Sequence, residues 1–225
     1  MNYFIIIFFF IKLIFVTSST LTLTLTQEQE HLETIFSFIH FDPYILPNIF
    51  NISISSNIPQ IDNEKKIIKN INCLTKSSKI QADDIAYHNC PFTHDTCNCS
   101  FIKNNCEFTQ RIDKYCFFPI QAYAELLIKI DNHFLYGLQY LLQSQKHSKI
   151  FIDNSLTHFG IYQSNNVINI NLIKSNIKNK NKNKKLKDTI IEFNNKQYLF
   201  STNAQITNKQ CLYQNKKNKI FIYEI

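Results

Sequence analysis

PIQAYAELLIKIDNHFLYGLQYLLQSQ, residues 119–145, is the most regularly patterned stretch of the chain. Ile120, Tyr123, Leu127, Ile130, Phe134, Leu138 and Leu141 recur at steps of three and four, the spacing of one helical face. Pro119 suits a helical first turn, where its missing N–H costs nothing. Glu125 and Lys129 stand four apart on the opposite face as a helpful ion pair. The spacing predicts one long amphipathic helix over 119–145, its wide apolar stripe turned to the core. From Lys149 the period becomes two, which predicts strands at 149–153, 157–163, 166–173, 188–194, 197–202, 210–214 and 219–224. Asn194-Asn195-Lys196 and residues 214–218 supply hairpin turns.

Upstream, a helix is expected to start at Thr26, where Thr26 and Gln29 form a capping box and Leu32, Ile35, Phe36 and Ile39 follow at helical spacing. Pro43 and Pro47 close it. Between the two helices lies a cysteine-rich segment, Cys73 to Cys116. The fold class is therefore α+β: an N-terminal helix, a disulfide-rich segment, a long amphipathic helix and a C-terminal antiparallel sheet. The chain divides into 1–18, 19–72, a disulfide-rich helical module at 73–148, and a β region at 149–225.

Tyr3 to Val16 is apolar but for Lys12, and Val16-Thr17-Ser18 has the small and β-branched residues that a signal peptidase accepts. A run this short is a poor membrane span, which needs about 20 apolar residues. Residues 1–18 therefore read as a cleaved signal peptide, and the mature protein as extracellular. That compartment decides how the seven cysteines are read, namely Cys73, Cys90, Cys97, Cys99, Cys106, Cys116 and Cys211. In an oxidising setting they are disulfide partners, with one left over. Their connectivity stays open. Asn51-Ile52-Ser53 and Asn98-Cys99-Ser100 are glycosylation sequons.

Composition excludes several chemistries. Gly137 and Gly160 are the only glycines, so neither a phosphate-cradling loop nor a G-x-S-x-G elbow can be built. The seven histidines include no H-E-x-x-H pair. Arg111 is the single arginine in a lysine-rich chain of net charge +7. Lys174 to Lys187 holds seven lysines without interleaved aromatic residues. It suits an anionic partner such as a phospholipid surface, and secretion argues against nucleic acid.

One segment carries candidate chemistry: Cys90-Pro91-Phe92-Thr93-His94-Asp95-Thr96-Cys97, followed by Cys99 and Cys106. It resembles the C-C-x-x-H-D-x-C motif of secreted phospholipases A2, with Pro91 in place of the second cysteine. The resemblance covers fewer than twenty residues. It implies a helix bearing His94 as general base on the attacking water and Asp95 as a ligand of Ca²⁺, braced by disulfides at Cys90 and Cys97. The family's glycine-rich calcium loop is missing, since Lys79 to His88 contains no glycine. Asp83, Asp84 and Glu107 are carboxylates that stand near the motif. The expectation is a secreted, disulfide-stabilised protein that is either a divergent phospholipase A2-like hydrolase or a non-enzymatic interaction protein presenting its β-rich half.

Overall fold

The structure, a computed structural model, describes residues 27–54, 58, 68–99, 106–131, 133–177, 188–204, 206, 209–215 and 219–225. The expected signal peptide, Thr26 of the capping box and residues 178–187 of the lysine-rich segment lie outside these. The chain is mixed α+β, as its patterning predicts. Helices α1 (27–41), α2 (Ile45–Phe50) and α3 (Asn72–Tyr87) come first, with the two-residue strand β1 (Lys69–Asn70) before α3. Helix α4 (Phe108–Tyr115), strand β2 (Ala122–Lys129) and helices α5 (Phe134–Gln143) and α6 (Gln145–Phe151) follow. Strands β3 (His158–Ser164), β4 (Val167–Lys174), β5 (Thr189–Phe193), β6 (Lys196–Ser201), β7 (Cys211–Asn215) and β8 (Ile220–Glu224) complete the chain.

The long helix expected over 119–145 is not formed. Its first half is β2, paired antiparallel with β4 over eight residues from Ala122↔Lys174 to Lys129↔Val167. The physical reason is that β2 is covered on both faces. Leu126 and Ile128 are buried from one side, Glu125 is buried from the other, and Ala124 is partly covered. A run apolar on both faces loses its period of two and can mimic helical spacing. Asp131 and His133 lie outside both elements. His133 accepts the Leu135 N–H at 3.2 Å through Nδ1 and so caps α5. The strand expected at 149–153 is likewise not formed: its first three residues end helix α6 and the last two follow it. Ser144 opens α6 by accepting the His147 N–H.

The remaining strand expectations hold within a residue or two. They make two sheets, ordered β1-β3-β4-β2 and β5-β6-β8-β7. The second is wholly antiparallel and C-terminal; the first has one parallel pair, β1 with β3. Phe193 faces Lys196 across Asn194 and Asn195, both at positive φ (51° and 60°), which is the twist a two-residue hairpin needs.

One large core joins α1, α2, α5 and both sheets around Phe36, Phe38, Ile39, Leu138, Phe159 and Phe200. A smaller core of Leu74, Ile112, Cys116 and Ile173 lies under α3 and α4. Helix α3 packs on β3 and β4 so closely that only glycine fits at position 160: a Cβ there would meet the Leu74 and Thr75 backbone at 2.2 Å. This helix is hard to see in sequence because much of its buried face is polar, namely Ser77, Ser78, Gln81 and Asp84. Those groups are satisfied inside: Ser78 donates to the Gly160 carbonyl at 3.0 Å, for example.

Candidate functional site

Three disulfides form: Cys73–Cys116, Cys90–Cys99 and Cys97–Cys106. The first ties the start of α3 to the end of α4. The other two interlace, and the loop that they pin carries His94. Cys211 is the odd thiol, free and exposed on β7. The brace expected at Cys90 and Cys97 is thus present, but what it braces is different. Residues 88–99 run as bends and turns, and neither His94 nor Asp95 lies on a helix. Pro91 and two short disulfide loops leave too few consecutive residues for helical hydrogen bonds.

Polar contacts to α3 hold the loop in place. Gln81 donates to the Thr93 carbonyl at 2.6 Å, and the buried Thr96 hydroxyl donates to Gln81 at 3.1 Å. The loop is therefore anchored on both sides of His94. Its imidazole then reaches Glu125 of β2, with Nδ1 at 2.9 Å from Oε1. Glu125 is 1% exposed at its side chain and His94 is 48% exposed, so a buried carboxylate orients a ring that faces solvent. The other Glu125 oxygen accepts from Arg111 Nη2 at 2.9 Å. Arg111 is itself buried, and it also donates to the carbonyls of Cys106 and, at 3.3 Å, His94. Asn171, oriented with its amide nitrogen toward Glu125, adds a donor at 3.2 Å and accepts from Ser77 and Ser78 through its oxygen.

With the Nδ1 proton directed at the carboxylate, Nε2 of neutral His94 carries the lone pair and is free to accept a proton. The ring lines a cleft of about 330 Å³ with Tyr123, Glu125, Lys146, His147 and Asp153. Burial lowers the His147 pKa, and the nearby His94 and Lys146 lower it further. The cleft thus gathers two imidazole rings, the Lys146 amine and the Asp153 carboxylate, while Glu125 beneath them is paired with Arg111.

Asp95 is placed differently from what its expected role as a Ca²⁺ ligand requires. Its Oδ1 accepts the Cys97 N–H at 2.8 Å, closing a local turn. Among the described residues, the one tight group of metal-ligating types is Asp95, Cys97 and Cys106, within 4.8 Å. Both sulfurs are joined in a disulfide. Calcium takes six or more oxygen ligands, so this donor set does not fit it.

Asp84 is buried beside Thr96 and His88, and Asp83 bonds Lys79 and Ser164, so neither reaches His94. Glu107 is the N-cap residue of α4. Asn51 and Asn98 are both exposed. Sequence reasoning missed Glu125, Arg111 and His147. One signal was available for Arg111: a lone arginine in a lysine-biased chain marks a position where a forked, always-charged group is required.

No family model and no curated protein matches the chain. Among solved structures it is similar to an extracellular protein containing an SCP domain from Bacillus anthracis, at 16% identity and a TM-score of 0.45, over 62% of this chain and 40% of that one. It is similar to an outer surface protein from Borrelia burgdorferi, at 17% identity and a TM-score of 0.44, over 65% of this chain and 93% of that one. A cysteine-rich secretory protein from Staphylococcus aureus matches at 13% identity and a TM-score of 0.39, over 49% of this chain and 32% of that one. None reaches a TM-score of 0.5, and no residue role is carried across from them.

Proposed function

We propose that the chain is a secreted, disulfide-stabilised protein whose working site is the His94 cleft, with His94 acting there as a general base. The observation that carries this reading is the 2.9 Å contact between His94 and the buried Glu125, itself held by Arg111. A base needs a fixed tautomer and a fixed direction, and a desolvated carboxylate supplies both. In its most concrete form the reaction is hydrolysis of a lipid ester by phospholipase A2-like chemistry without calcium. His94 Nε2 takes a proton from water, the hydroxide attacks the ester carbonyl, and the Lys146 ammonium stabilises the oxyanion. His94 then returns the proton to the leaving alkoxide. The lysines from Lys174 to Lys187 would hold the protein to an anionic lipid surface.

The test is hydrolysis of mixed phospholipid vesicles with a chelator present. Wild type should turn over, and His94→Gln should lose about a hundredfold, the ordinary contribution of a positioned base. Glu125→Gln should lose a comparable amount, because the amide can donate to Nδ1 and leave the ring in the wrong tautomer. Absent activity, or equal activity in wild type and His94→Gln, rejects the hydrolytic assignment. It leaves the non-enzymatic reading, in which the exposed Ile190 and Cys211 of the second sheet belong to a contact surface.

A further inference from the structure

A cavity lies away from the His94 cleft, between α1, α3, the β3–β4 hairpin, the start of α5 and β5. Its volume is about 990 Å³, the size of a pocket for a small organic molecule. Its base is apolar: Leu32, Ile35, Phe134 and Ile191 are all buried core residues. Its rim is acidic. Glu28, Asp83 and Glu192 face one ammonium, Lys79, which is already spent on Asp83 and on the Tyr162 ring 4.8 Å away. That leaves the two exposed carboxylates of Glu28 and Glu192 uncompensated among the described lining residues. Two histidines in the wall add no positive charge, because burial holds both His31 and His133 below the ordinary histidine range. A locally negative mouth on a chain of net charge +7 is a reversal that a solvated surface does not require.

We propose that this cavity is a second ligand site, for an organic amine with an apolar body. The apolar part lies on Leu32, Ile35, Phe134 and Ile191. The ammonium group stays at the rim, between Glu28 and Glu192, where it keeps part of its hydration. Tyr87, exposed at the mouth, offers a further ring face to a cation, as Tyr162 does to Lys79.

Tryptamine is a direct probe, because the chain contains no tryptophan and indole emission reports the ligand alone. Titrating the full chain into tryptamine should give a saturable shift in emission, weakening as salt rises. Indole-3-propionate has the same ring with a carboxylate and should bind at least about tenfold more weakly, a difference of about 1.4 kcal/mol. The Glu28→Gln/Glu192→Gln double variant changes two exposed side chains, so it should fold normally and lose about tenfold for tryptamine alone. Equal binding of amine and acid, undiminished binding by the double variant, or no saturable binding of tryptamine would each overturn the proposal.

Discussion

Glu125 and Arg111 form an ion pair that water cannot reach, and their worth depends on each other. Removing one partner of a buried pair strands the other charge in a poorly polarisable interior, at a cost of about 3–5 kcal/mol. Arg111→Met should therefore destabilise the protein by about that amount in denaturant melts. The Arg111→Met/Glu125→Leu double variant should cost clearly less than the sum of the two single changes. Additive costs would mean that the pair is not coupled as the 2.9 Å contact implies. His94 stands out in the sequence because its neighbours, Cys90, Asp95 and Cys97, make a local motif. Its partner does not. Glu125 stands 31 residues away, and beside Lys129 it looks like one half of a surface pair. Nothing in a single sequence states which distant carboxylate a fold will bring to a histidine.

Helix α3 governs the elements around the site. Its buried polar face carries Gln81 and Asp84, which hold the His94 loop, and its other contacts lock onto Gly160 of β3. Gly160→Ala would drive a Cβ against backbone atoms that cannot rotate away, so α3 must lift as a body. A cost of about 3 kcal/mol is expected. Gly137→Ala meets a side chain rather than backbone, the branch methyl Cγ2 of Ile128, and should cost less, about 2 kcal/mol. Chemical denaturation of the two variants tests the contrast, and equal losses would contradict it. Several strands after residue 157 were readable because asparagines mark the turns and, in β4, Ile168, Ile170 and Leu172 alternate with Asn169 and Asn171 although both faces are buried. Strand β2 was not, since coverage on both sides erased the period. Helix α3 escaped notice for the opposite reason: serine, glutamine and aspartate fill the face that hydrophobic residues usually announce.

The molecule as a whole should be sensitive to mild acid. His31, His133, His147 and His158 all have pKa values lowered from 6.5, in each case chiefly by burial. From about one unit above pH 6.5 all four are neutral whether the chain is folded or not. As pH falls below 6.5 the unfolded chain takes up protons first, so stability declines until the lowered folded-state values are passed. His158 should contribute, being buried with Nε2 lacking a hydrogen-bond partner. Melting at constant ionic strength should show a level Tm above about pH 7.5 and a fall from pH 6.5 downward, smaller in His158→Gln. A Tm that holds steady from pH 7 to 5 would refute this balance. The α+β class was readable at this scale. The split into two sheets was not, because strand partners are chosen by the packing of the whole chain.

The interlaced bridges Cys90–Cys99 and Cys97–Cys106, each spanning nine positions, have a consequence for how such a protein can change over generations. Covalent bonds give that loop its shape, so several residues between the cysteines are relieved of packing duties. Phe92 and Asn98, both exposed, illustrate the freedom. Substitutions there alter the exposed face of the loop that carries His94 while the scaffold stays intact. Descendants of one ancestor could then diverge in what they recognise and keep the same architecture beneath.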